Sequence, residues 1–445
     1  MPEVVDIELE DEESVDKEED QNIFGRSEPK KIDKSKYIRW LLAMCFIWIA
    51  VAFYGETEGQ WFNAFVTNDV IGTGYSNTQM SYMVSTSAIM GTIAFIFWAS
   101  ISDNLRTKLG RRIPIYVGGA VLTAVFVLLF GVSTNLIWLI VCDGIIIGFT
   151  SNMFHCTSRA LIPDLFPKHK RGHVNFYMQI ASGIGGLSIW GLAFLFKAQN
   201  GGDSSYKLSQ FYVVFSICAA LLVISAIAVV FLIKEPKIKT EARKWTHDIA
   251  LMFNKEEMSQ HTNFLKLFIA SLFVIMSSNA YKPWMLKMLE MIEFPTEFWQ
   301  IAVGGCIAAA IALPVIFKFS NVIDRLGRKK AMRIALIFIP VGCIIMVLSN
   351  YNFFLIIVGL ATIISFTIGL DVALQTWTQD LLPPESRAKF LGIINIGRAA
   401  GQVPGVMLAG VIADAFGELY IFLISALFLL VAIPLFERVP ETLDQ

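Results

Sequence analysis

Charge is scarce in this sequence. Of its 445 residues only 16% are Asp, Glu, Lys or Arg, while 55% are hydrophobic; a soluble domain carries about a quarter charged residues. That scarcity argues against an ordinary water-soluble protein, and a net charge of -1 leaves no basic footprint for nucleic acid. Cysteine offers no chemistry either. Cys45, Cys142, Cys156, Cys218, Cys306 and Cys343 all fall inside apolar runs without metal-ligand spacing, so neither a disulfide framework nor a metal site is expected. No ATP-binding loop and no hydrolytic constellation occurs in the tails or loops, so no enzyme activity and no cofactor is expected. No cleavable leader is expected ahead of the first apolar run.

What the sequence has is apolar runs of about 20 residues, the length that crosses a hydrocarbon core as a helix. They predict an all-α membrane protein of twelve transmembrane helices, at 38–66, 78–101, 113–132, 136–160, 174–196, 210–233, 264–288, 298–319, 331–349, 353–378, 388–413 and 419–437. Residues 1–37 form an acidic, then basic tail, "EVVDIELEDEESVDKEED" followed by Arg26, Lys30, Lys31, Lys34, Lys36 and Arg39. A segment so poor in apolar residues is expected to be disordered, with its basic part suited to an anionic leaflet. Lys and Arg crowd the loops 102–112, 163–173 and 320–333 and are absent from 67–77, 133–135, 350–352 and 414–418. The positive-inside rule then predicts both termini in the cytosol, with the plasma membrane the expected location.

The linker 234–263 divides the spans into six-helix bundles, 38–233 and 264–437, and leaves a short cytosolic tail, 438–445. Within it, Trp245, Ile249, Met252 and Phe253 share one face of an expected surface helix. The halves echo each other. "SRALIPDLFPKHKRG" after span four matches "TWTQDLLPPESRAK" after span ten, pairing Asp164, Pro167 and Arg171 with Asp380, Pro383 and Arg387 at a constant offset of 216. "DNLRTKLGRR" and "DRLGRKK" pair Asp103 with Asp324 and Gly110 with Gly327. Such a duplication predicts two pseudo-symmetric six-helix bundles. Gly397, Gly401 and Gly405 in span eleven, with Ala181 and Gly185 in span five, predict close helix packing.

The loops after spans two and eight resemble the signature of the major facilitator superfamily, and the resemblance covers nearly all the chain after residue 37. "SDNLRTKLGRRIP" is similar to the "SDRTRSRWGRRRP" pattern of the glycoside-pentoside-hexuronide:cation symporters and the related sucrose:proton symporters; Ser102, Asp103, Arg106, Gly110, Arg111, Arg112 and Pro114 match, while Asn104 and Leu105 do not. "SRALIPDL", with Arg159, resembles the "RALLxDL" of the sucrose branch, and Asn152 fits an upstream Asn there. The resemblance implies alternating access, with Asp103, Gly110, Arg111, Arg112, Arg159, Asp164, Asp324, Gly327, Arg328 and Asp380 as conformational gates. The residues allow that role through charge-assisted bonds at helix ends. Sodium-coupled melibiose-type members carry paired acids in span two. The matching places here are Ala88 and Thr92, which favours protons, or no ion, as the coupling partner.

Ionisable side chains inside spans are functional candidates. Glu56 and Lys282 each lie 18 residues into spans one and seven, so Glu56 or Glu58 with Lys282 is expected at the outer end; both Glu face a cavity only if Gly55 or Gly59 breaks the helix. His155 and Asp371, again offset by 216, are expected as an inner gate or as static bonds. Asp143 and Arg398 lie near mid-depth, about 12 and 15 Å from their span ends at roughly 1.5 Å per residue, where Asp143 could hold a proton and Arg398 an anionic solute or Asp371. Trp61 and Trp284 offer ring faces for a sugar. The expected function is proton-coupled symport of a sugar or glycoside. The alternatives are proton-coupled carriage of organic anions or amphipathic compounds, and a non-transporting sensor or scaffold. The expected partners are a small-molecule substrate, protons and the lipid bilayer.

Overall fold

The computed structural model describes residues 34–442 apart from 70–72, 167–170, 201–204, 236–261, 293–302, scattered positions between 305 and 326, and 382–386; the side chains of 163, 171–172, 375, 379–380 and 387–396 also lie outside the description. The acidic tail and the linker helix therefore fall outside the described residues.

Eleven helices among the described residues are long and apolar enough to cross a membrane. They are α1 (Lys34–Val66), α2 (Asn77–Asn104), α3 (Ile113–Phe130) and α4 (Leu136–Ile162, helical on to Leu165). Then come α5 (Arg171–Gln199), α6 (Leu208–Leu232), α7 (Thr262–Met291) and α8 (Arg328–Leu348). The last are α9 (Phe353–Leu381), α10 (Arg387–Phe416) and α11 (Glu418–Glu437). The eighth expected span, 298–319, is described only in part, and its described residues are helical; α8 is therefore the ninth expected span. Several helices overrun the predicted limits by a few residues, because polar turns such as Lys34–Tyr37 and Arg171–Val174 continue the helix beyond the apolar run. Backbone groups in lipid have no water to bond, and helices satisfy them internally.

Capping fixes several ends. Ser76 and Gln79 close a capping box on α2, the Asn135 carbonyl oxygen of the side chain accepts from Ile137 and Trp138 at the start of α4, and Pro114 opens α3.

The two bundles repeat one plan. In the first half α1 packs on α5 and α6, and α3 on α4 and α6; in the second α7 packs on α10 and α11, and α8 on α9 and α11. Close approach rests on glycine: Gly185 of α5 abuts the Ile49 backbone of α1, and an added Cβ at Gly405 of α10 would lie 2.5 Å from the Met276 carbonyl oxygen of α7. The halves meet through α2 against α10. Outward faces are apolar, as at Ile89, Ile93 and Phe97 of α2, which suits lipid.

Thr57–Phe62 in α1 and Ile140–Ile147 in α4 leave α-geometry and are π-helical, a form that collects at functional sites. In α7, Lys282–Trp284 is a 3-10 turn around Pro283.

Candidate functional site: a polar cavity between the halves

A cavity of about 420 Å³ lies where the two halves meet. Of the residues named from sequence it brings together Glu56, Glu58, Asp143, Asn152, His155 and Arg159 from the first half with Lys282 and Arg398 from the second. The π-helical stretches account for two of them: Glu58 sits in one and Asp143 in the other.

Gly55 and Gly59 do not break α1. They present open space to the cavity, with nothing within 4 Å of an added Cβ. The two glutamates flank this glycine face and diverge. Glu56 sits against Trp190 of α5, and Glu58 accepts from the Ser87 hydroxyl of α2 at 3.0 Å. Filling the glycine face should block the cavity without unfolding the protein: Gly59→Leu is expected to cut solute flux in liposomes at least about tenfold with the Tm within a few degrees of wild type, since the new side chain enters space rather than packed atoms.

Glu58 and Asp143 lie within direct electrostatic reach of each other, with the Tyr54 hydroxyl beside both. Asp143 is 2% exposed, and its Oδ1 has no hydrogen-bond partner. Buried polar atoms without a partner are rare and ask for an explanation.

Lys282 forms no ion pair with Glu56 or Glu58. Its ammonium is exposed in the cavity near Glu56, while its carbonyl is held elsewhere. Pro283 interrupts α7, and the bond that Leu286 N–H would give the Lys282 carbonyl is replaced by one side chain from the other half. Gln60 Nε2 donates to the Lys282 carbonyl at 3.0 Å, and Leu286 N–H donates to Gln60 Oε1 at 3.2 Å. Nothing in the sequence marks Gln60 beyond its place next to the glutamates.

Gln60 belongs to a set of bonds closing one end of the cavity. Asp414 of α10 accepts from the Asn77 and Thr78 N–H groups that begin α2, at 2.8 and 2.9 Å. Lys197 of α5, 2% exposed, donates to the carbonyls of Leu289, Glu290 and Ile292 at the end of α7, at 2.6, 2.8 and 3.0 Å. Each half thus caps a helix end of the other with a charge of the sign that end favours. Lys287 pairs with Glu418 at 2.9 Å, and Trp284 Nε1 donates to Asn77 Oδ1 at 3.0 Å.

Trp284 is therefore part of the closed end and does not line the cavity. Trp61 does not reach it either: the π-helical turn rotates it into a ring cluster with Tyr206, Phe211 and Phe196. Among the described residues, Phe95 is the one Phe, Tyr or Trp side chain that lines the cavity. His155 packs on Tyr54 and Phe154 and makes no described bond to Asp371. Asp371 instead lies within electrostatic reach of Lys282 and Arg398. Asn152 lines the cavity and donates to the Gly148 carbonyl at 2.7 Å.

The loop residues gather at the opposite end, where the basic loops lie. Arg111 forks onto both Asp164 oxygens at 2.8 Å, and Arg112 Nε donates to Asp164 at 3.1 Å, Nη1 to Ser102 at 2.9 Å. Asp103 pairs with Arg112, and Glu235 accepts from Arg112 N–H at 2.9 Å. Gly110 and Gly327 both adopt positive φ, 111° and 92°, as tight turns require. In the second half Glu441 takes the place of Glu235, accepting from Arg328 and Lys329 N–H at 3.1 and 2.9 Å. Both glutamates were missed from sequence, although "KEPK" and "VPET" follow the last span of each half. Asp324 and the Asp380 side chain lie outside the described residues. All these bonds stay within one half. The bonds between halves described above, from Gln60, Asp414, Lys197 and Trp284, all lie at the other end.

Two matched helix bundles around a polar cavity, bonded to each other across one end, define a membrane carrier. The family profile of the Major Facilitator Superfamily matches residues 40–319 and 267–444, and the chain belongs to that superfamily. It is 24% identical over 386 residues to the multidrug resistance protein MdtG of Klebsiella pneumoniae (strain 342), covering 84% of this chain and 85% of that protein. It is 33% identical over 132 residues to an uncharacterized transporter of Buchnera aphidicola subsp. Schizaphis graminum (strain Sg), 29% of this chain and 33% of that one. In fold it is similar to a mutant of the nucleoside transporter NupG, with TM-score 0.70, 14% identity and coverage of 90% and 99%. It is also similar to a bacterial homolog of the human lysosomal transporter Spinster in an inward-facing, unoccupied conformation, with TM-score 0.64, 16% identity and coverage of 91% and 97%.

Proposed function

We propose that this protein is a secondary active transporter that moves a small polar solute by alternating access and couples the movement to protons through Glu58 and Asp143. The carrying observation is the unpartnered Oδ1 of Asp143, buried beside a second carboxyl at the cavity between the halves. Two carboxylates at short range resist double ionisation, so such a pair titrates as a unit and trades a proton with whichever side of the membrane the cavity meets. The resemblance of the first basic loop to cation and proton symporters supports symport. The basic loops support a cytosolic position for the end where they gather, and the bonds between halves at the opposite end support an inward-facing state.

A described lining of Ser87, Thr92, Asn152, Asn279 and Gln402, with Phe95 its one Phe, Tyr or Trp ring, suits a polar cargo. It offers little surface to the amphipathic compounds that the multidrug resistance relatives suggest. A sugar fits by polarity, but neither expected tryptophan platform is at hand.

Purified protein in liposomes tests the reading. An acidic exterior should drive accumulation of the accepted solute above its equilibrium level, and a protonophore should abolish the excess. Solute uptake indifferent to the proton gradient would overturn proton coupling. No flux of any solute would favour a sensor or scaffold.

A further inference from the structure

Two arginines of the cavity close no described ion pair. Arg159 comes from α4 in the first half and Arg398 from α10 in the second; both line the cavity, and they lie within electrostatic reach of each other. Sequence had assigned Arg159 to a gate by its loop motif, and the structure places it elsewhere: the Arg–Asp cluster at the loop end is built by Arg111 and Arg112. Neither Arg159 nor Arg398 closes an ion pair with a described carboxylate. Asp371 lies within reach of Arg398 and Lys282 and offsets part of the second-half charge, whereas no described carboxylate does so for Arg159. The three acids of the lining, Glu56, Glu58 and Asp143, all belong to α1 and α4, and two of them face each other.

We infer that Arg159 and Arg398 form a two-sided oxyanion site, and that the transported solute is a small organic anion with a carboxylate or phosphate bound between them and a hydroxylated body toward Asn152, Asn279 and Gln402. Like charges facing across a cavity repel, and an anion placed between them turns that repulsion into two attractions. A guanidinium fork matches the planar oxygens of a carboxylate or the face of a phosphate. The two arginines ride on different halves. An anion that engages both draws the halves together around the cavity, so occupancy itself favours the occluded state. This assignment rests on the transporter reading above and adds the class of its cargo.

Full-length protein in nanodiscs is tested by thermal shift and by equilibrium binding with three probes of similar size: gluconate, glycerol phosphate and neutral glucose. Gluconate or glycerol phosphate should raise the Tm, and glucose should not. Arg159→Gln and Arg398→Gln should each weaken anion binding about tenfold or more, as expected for loss of one charge-assisted fork, while Arg→Lys at either position restores part of it. Glucose stabilising as well as the anions, or neither anion binding, overturns the site; so does unchanged anion affinity in both Gln variants. The liposome proton-gradient assay is read separately. Anion binding without gradient-driven uptake leaves the oxyanion site standing and removes proton coupling. Gradient-driven glucose uptake does the reverse.

Discussion

Asp143→Asn should abolish proton-driven accumulation while leaving the protein folded and able to exchange solute. Asn matches Asp in shape, and Oδ1 of Asp143 has no hydrogen-bond donor to lose, so the amide disrupts no described bond to that atom. It also removes a buried carboxyl from beside Glu58, which relieves a cost rather than adding one. The Tm should therefore hold or rise. Transport should divide into two behaviours. Accumulation against a gradient should drop at least about tenfold, because no pair remains to share and release a proton. Counterflow, in which labelled solute exchanges for unlabelled with no net gradient, should persist, since the cavity keeps its shape. Glu58→Gln should behave similarly, and the double variant should be little worse than either single one, the non-additivity of groups that act as one. Liposome uptake with and without a proton gradient, run beside counterflow, reads both effects. Wild-type accumulation by Asp143→Asn would sink the assignment.

The fold was legible because lipid imposes a coarse rule. Length and apolarity identify a spanning helix, and the offset of 216 residues between Asp164 and Asp380 exposed the duplication without any knowledge of packing. That charged residues lie inside spans was legible for the same reason, and Glu56, Glu58, Asp143, Asn152, His155, Arg159, Lys282 and Arg398, which the sequence had spread over different depths, line one cavity. Direction around the helix was not. The π-helical turns that carry Glu58 and Asp143 have no compositional mark, and they decide where Trp61 points. The Gln60 amide is hidden for another reason. Its role exists only because Pro283 opens a gap in α7 opposite it, 223 positions along the chain, and pairings across halves leave no local pattern. Glu235 and Glu441 were within reach, since each follows the last span of its half, but without the loop geometry nothing tied them to Gly110 or Gly327.

The same cross-half bonds that hid from sequence set the second large effect. Lys197→Met should shift the carrier toward the state open at the latched end. The ammonium satisfies three carbonyls at the end of α7, and hydrogen bonds to a charged group are worth about 1.5–3 kcal/mol each in burial. When the halves part at this end, water takes over those carbonyls, so the loss falls almost wholly on the closed state. A net bias of about 3 kcal/mol changes the ratio of the two states on the order of a hundredfold. Gln60→Leu should act in the same direction, since it strips partners from both Lys282 O and Leu286 N–H. Spin labels at the exposed Val132 and Leu348, one at the latched end of each half, would report the change as a longer inter-label distance in double electron–electron resonance. The variant should also lose net uptake, because a carrier held open to one side cannot return. If both variants keep the wild-type distance distribution, the bonds are fillers of a closed end and not the latch that holds it, and the closed state must draw its stability from the α2–α10 packing and the Asn77–Thr78 bonds to Asp414 and Trp284.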